Sequence, residues 1–223
     1  MRLRGMPPKA ILAGILVLGF LGTLPLWLIT TPEQKQRMVQ ATTTLDVVEN
    51  NVGILDMQPE EQAHLRQMFR PLQKDAVDNF EQAVWLEDIR QVIKPWVRDP
   101  VEAKALARWV YIYSQRFDLS PELILSVIAV ESQFDHFAIS NVGARGLMQV
   151  MPFWKKKLGS KNDNLFEIET NIRYGCAILR VYKDRYGKLS RALAAYNGSL
   201  GNTKYPARIY AQMKRFKAAA ADL

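Results

Sequence analysis

From Asp99 onward the apolar residues recur at steps of three and four between strong helix-start signals. Asp99 can cap, Pro100 takes the first helical position, and Glu102 stands where it would close a capping box. "DLSPELILSVIAVESQF" repeats the device with Ser120 and Pro121. Thr170 before "NIRYGCAILRVYKDRYG", ended by Gly187, and Ser190 before "RALAAYNG", ended by Asn197 and Gly198, predict two further helices. No alternating run is long enough for a sheet, so the pattern predicts an all-α fold, with a compact helical domain over residues 99–217 and a short tail at 218–223.

The pattern upstream is different. Ala10 to Ile29 runs for 20 residues without a charge, roughly 30 Å as a helix and about the thickness of a bilayer core. Arg2, Arg4 and Lys9 precede it, so residues 1–30 read as a signal anchor that leaves the rest of the chain across the membrane. No A-x-A-like site follows, which favours an uncleaved anchor over a cleaved signal peptide. Thr31 and Pro32 offer a helix start, and Met38, Ala41, Leu45, Val48, Val52 and Leu55 make a short heptad seam that Gly53 interrupts. That seam over residues 38–55 could support weak self-association, or lie on its own domain. Pro59 opens another helix with Leu65, Met68 and Phe69, and a further amphipathic run carries Val77, Phe80, Val84 and Val92 up to Pro95. Residues 31–98 are therefore a helical accessory segment without evident chemistry.

Composition narrows the function classes. A single cysteine, Cys176, excludes an internal disulfide, and two distant histidines, His64 and His136, do not supply zinc spacing. Cys176 falls in a helical pattern and is expected to be a small buried side chain. No cofactor or metal is expected. The net charge of +8 is uneven, because residues 101–223 hold 19 Lys and Arg against 10 Asp and Glu, while residues 1–100 hold 11 against 12. A basic C-terminal half favours polyanionic partners. Nucleic acid is not expected among them, since no recognition motif is present and the apolar segment directs the chain away from DNA.

One carboxylate stands out. From Leu123 to Val130 only Ser126 is polar, so this helix should be buried, and Glu131 ends it. Apolar neighbours and the negative end of the helix dipole both disfavour the charged form, which predicts a raised pKa and a proton available near neutral pH. Such an acid suits protonation of a glycosidic oxygen. Asp135 follows on the same stretch and is expected to cap a loop rather than act as a second catalytic acid.

Glu131 is embedded in "ESQF" at 131–134, followed by "GARGLMQVMP" at 143–152, "NIRYG" at 171–175 and "ALAAYNG" at 192–198. In this order and spacing the segment resembles the soluble lytic transglycosylase domain of the lysozyme-like superfamily, over residues 99–217. The resemblance implies peptidoglycan glycan strands as substrate and Glu131 as catalytic acid and then base. It also implies that Ser140, Gly146, Gln149 and Met151 line the floor of a sugar cleft, with Ala195, Tyr196 and Asn197 facing Glu131 from the other wall. Gly143 and Gly146 would let the backbone approach a sugar, Gln149 would offer a donor and an acceptor, and Tyr196 would orient the carboxyl or steady a sugar cation. Leu147 and Met148 read as core. A membrane-anchored enzyme on the periplasmic face of the inner membrane, giving 1,6-anhydromuramoyl ends, is the expectation. A goose-type lysozyme hydrolase and an inactive wall-binding scaffold are the alternatives. The chain departs from the family pattern at His136 and Phe137, and at "TKYPARIY" after "AAYNGSLGN".

Overall fold

Capping chemistry places the helix boundaries in the computed structural model, which describes residues 59–70 and 80–221. The apolar span at 10–29, the seam at 38–55 and the start of the run through Val77 lie outside the described residues. Among the described residues, no helix is long and apolar enough to cross a membrane. The helices are α1 (Pro59–Phe69), α2 (Phe80–Ile93), α3 (Pro100–Phe117), α4 (Pro121–Glu131), α5 (Trp154–Leu158), α6 (Ile168–Tyr186), α7 (Leu189–Tyr196) and α8 (Lys204–Ala221). Strand-like pairing among the described residues is limited to isolated bridges, Ile139 with Arg145 and Arg145 with Val150.

Asp99 caps α3 by accepting from Val101 N at 2.9 Å, and Ser120 Oγ caps α4 by accepting from Leu123 N at 3.3 Å. These are the starts that the Asp-Pro and Ser-Pro pairs predict. Glu102 lies with Oε1 3.8 Å from His136 Nε2. Two helices begin before their expected caps. α6 starts at Ile168 and α7 at Leu189, each entered through an extended residue that makes no side-chain capping bond. The Thr170 hydroxyl is already inside α6 and turns to Glu167 and Glu169 instead.

The core forms where two helices lack a polar face. Residues 123–129 of α4 are all buried, as are residues 170–179 of α6. α3 and α7 pack on α6, while α8 packs on α4 and α7. Cys176 is fully buried, and burial pushes its thiol pKa far above the ordinary range. α1 and α2, which lie in the segment 31–98, share this core through Leu65, Phe69, Ile89 and Ile93, and Val97 joins it just after α2. Side chains of the catalytic-domain helices close the end of α1: Arg116 Nη2 donates to Gln67 O at 3.0 Å and Arg173 Nη1 to Phe69 O at 3.1 Å. Arg173 is buried, ion-paired to Glu169 at 3.1 Å, and its guanidinium lies 4.6 Å from the Phe69 ring centroid. A buried arginine paired in this way ties α1 to α6.

Candidate active site

α4 delivers Glu131 as its last residue, and Ser132 closes the helix with its N–H donating to Ile128 O. Glu131 is half-buried. Burial raises its pKa; the Tyr205 hydroxyl and the Arg208 guanidinium both oppose that rise, and burial prevails. Tyr205 Oη donates to Glu131 Oε1 at 2.7 Å. Tyr205 is itself 5% exposed, and its pKa is pushed well upward by burial and by the charge of Glu131. It therefore stays a neutral donor throughout the working pH range. Among the described residues, no second carboxylate adds to the electrostatic surroundings of Glu131. Asp135 is exposed and accepts from Phe137 N at 2.8 Å, an Asx turn in the loop after α4.

That loop leaves α4 through an unusual conformation. Gln133 and Phe134 both have positive φ, 53° and 69°, a state that costs a non-glycine residue about 1–3 kcal/mol. Aromatic packing compensates: the Phe134 ring is 5.3 Å from that of Trp96 and 6.3 Å from that of Phe216, centroid to centroid. The chain can then turn sharply beneath the carboxyl without α4 unwinding.

The glycine-rich loop is organised from below. Asn171, buried in α6, accepts from Met148 N at 2.8 Å and donates to Arg145 O at 2.8 Å and Leu165 O at 2.6 Å. Gly146 packs directly on it, so that a Cβ there would stand 2.3 Å from Asn171 Nδ2 and 2.4 Å from Leu165 O. With φ at 72°, Gly146 is required both by conformation and by this contact. The glycine therefore serves the loop's own packing. Gln149, at φ 49°, donates through Nε2 to Gly146 O at 2.9 Å and Ala138 O at 3.2 Å. Ser140 Oγ accepts from Ala144 N at 3.0 Å. Leu147 and Met148 are fully buried, as core residues should be, and Met151 is half-buried against the same cluster.

On the α7 side, Ala195 and Tyr196 are half-buried and Asn197 is the exposed C-cap. The Tyr196 hydroxyl donates to Met148 O at 2.7 Å, which fastens α7 to the glycine-rich loop. Tyr196 is close enough to Glu131 for that charge to help raise its pKa. The hydroxyl that holds the carboxyl nevertheless comes from Tyr205. Sequence reasoning missed Tyr205, Arg208 and Asn171. "NIRYG" and "TKYP" drew attention to their neighbourhoods, but nothing local says which side chain reaches across the domain.

The helical domain thus sets the Glu131 carboxyl under a tyrosine donor, with no second carboxylate among the described residues acting on it, and lays down its glycine-rich loop on a buried asparagine. Residues 109–218 match the family described as Transglycosylase SLT domain. This part of the chain belongs to that family. It is 39% identical over 95 residues to the "Transglycosylase" of Enterobacteria phage PRD1, covering 43% of this chain and 35% of the phage protein. To the "Membrane-bound lytic murein transglycosylase C" of Glaesserella parasuis it is 30% identical over 133 residues, 51% of this chain and 36% of that protein. The protein of the same name in Pectobacterium atrosepticum is 33% identical over 106 residues, 40% of this chain and 30% of its own length. The chain spans about a third of the length of these relatives.

Proposed function

We propose that this chain is a peptidoglycan lytic transglycosylase, cleaving the β-1,4 bond between N-acetylmuramic acid and N-acetylglucosamine without water. The observation that carries the reading is the half-buried carboxyl of Glu131, held by the Tyr205 hydroxyl with no second carboxylate among the described residues acting on it. Ordinary glycoside hydrolysis uses two carboxyl groups across the bond. One acid suits a reaction in which the same group acts twice. Glu131, protonated because burial disfavours its charge, gives its proton to the bridging oxygen as the C1–O bond breaks. The neighbouring N-acetyl group steadies the sugar cation. The carboxylate left behind keeps the Tyr205 donor and the nearby Arg208 charge, both of which favour the ionised form. It then takes the proton of the C6 hydroxyl as O6 bonds to C1, giving a 1,6-anhydromuramoyl end and restoring the acid.

Ser140, Gly146, Gln149, Met151, Ala195, Tyr196 and Asn197 are the proposed substrate contacts. The pinned loop and the Tyr196 bond to Met148 O support them, because both fix the surface beside Glu131. Anchoring in the inner membrane, with the domain in the periplasm, is supported by the uncharged span at 10–29 and by relatives whose names describe them as membrane-bound.

Mass spectrometry of glycan strands incubated with the full chain tests the reaction. Anhydro ends that vanish with Glu131→Gln are the expected result. Reducing ends would make the chain a hydrolase of the goose-lysozyme kind, and strand binding with no new ends would make it a scaffold.

A further inference from the structure

From Arg185 to Ala221 the chain contains no Asp or Glu. Within this stretch Lys204, Arg208 and Arg215 on α8 are spaced four and seven residues apart, which sets them within about 40° of arc around the helix. All three are exposed, and no ion pair among the described residues involves them, although Arg208 lies near enough to Glu131 for its charge to act there. Arg180 and Lys183 on α6, by contrast, are paired to Asp118 and Asp184. The stripe borders the face of α8 that packs inward through Tyr205, Ile209 and Phe216. Tyr205 is the residue that holds Glu131, so the stripe starts beside the carboxyl and runs along α8 for about 16 Å.

We infer that Lys204, Arg208 and Arg215 form a binding track for the free carboxylates of the peptide stems on a glycan strand whose sugar backbone lies at Glu131. The inference rests on the substrate proposed above and adds a preference for peptide-bearing over bare strands. Continuity with Glu131 favours a substrate over a lipid surface. A helix that lies on lipid presents large apolar side chains beside its cations. Here the residues beside the stripe are Ala207, Ala211 and Ala218, while Ile209 and Phe216 are packed inside.

The test is binding, measured by co-sedimentation of the full chain carrying Glu131→Gln with insoluble peptide-bearing strands and with the same strands stripped of peptide by an amidase. Lys204→Gln with Arg215→Gln should weaken binding about fivefold on peptide-bearing strands at low salt. Stripped strands should bind both forms alike, and the difference should shrink as salt rises. Lys204→Arg with Arg215→Lys should restore binding, and circular dichroism should be unchanged in every variant. Equal weakening on both strands, no weakening on either, or weakened binding only to phosphatidylglycerol vesicles would overturn the track. A parent chain that yields no anhydro ends, with sedimentation still discriminating, would sink the proposed reaction and leave the track standing.

Discussion

Replacing Tyr205 by phenylalanine removes one oxygen and leaves the ring in its buried place, so no cavity opens. What is lost is the 2.7 Å hydrogen bond to Glu131 Oε1. A hydrogen bond to an ionised carboxylate contributes about 1.5–3 kcal/mol, and one to a neutral carboxyl about 0.5–1.5 kcal/mol. Tyr205→Phe should therefore destabilise the protein more when Glu131 is charged than when it is protonated, by a difference of about 1 kcal/mol. Tyr205 favours the ionised form, so without it the Glu131 pKa, already raised by burial, rises further. Two measurements follow. Urea unfolding across a pH series should give a stability loss that grows as pH increases through the titration of Glu131. The alkaline limb of the strand-cleavage profile should move to higher pH, because the protonated acid persists further. A loss that is flat with pH, or largest in acid, would refute the assignment of Tyr205 as the donor that balances burial.

Glu131→Gln should abolish cleavage and raise stability at neutral pH, since the folded-state pKa lies above the unfolded one and the charged group is the disfavoured form. The sign fixes the window. Relative to the unfolded state, stability from Glu131 is fully present below about pH 4 and is lost as pH rises through its folded pKa, so the gain from Gln should disappear in acid unfolding experiments. Gly146→Ala should cost about 2–4 kcal/mol, combining a strained positive φ with a Cβ driven into Asn171; thermal melting reads it. Asn171→Ala leaves Met148 N, Arg145 O and Leu165 O without their partner and should cost about 3 kcal/mol or more. It should also raise KM, because the loop it pins carries Gln149. Arg173→Met breaks a buried pair and frees the end of α1, costing about 3–5 kcal/mol, with hydrogen exchange rising first in residues 59–69.

Helix identity was legible wherever the signal was local. The Asp99–Pro100 and Ser120–Pro121 starts could be placed to the residue because the capping bonds form within a single turn. α6 and α7 begin three and two residues earlier than caps at Thr170 and Ser190 would place them, because they start without a side-chain cap, and those two residues resemble caps only by type. Burial of Glu131 could be foreseen, since α4 has no polar face and must sit inside. Its partner could not. Tyr205 lies 74 residues downstream and is one of eight tyrosines in the chain; only the docking of α8 on α4 decides which one meets the carboxyl. Tyr196, in the more conspicuous "AAYNG", lies near Glu131 but spends its hydroxyl on Met148 O. Asn171 and Gly146 show the same gap, a lock and its notch set apart in sequence and joined only by packing.

The hydroxyl that steadies Glu131 is carried by α8, the last helix to leave the ribosome among those described. Because a domain generally folds as a unit, a nascent or truncated chain that stops short of α8 displays the acid without its tyrosine partner. Synthesis through α8 is thus a condition for assembling the Glu131–Tyr205 pair, so a chain cut off before it carries the acid in an unbalanced setting.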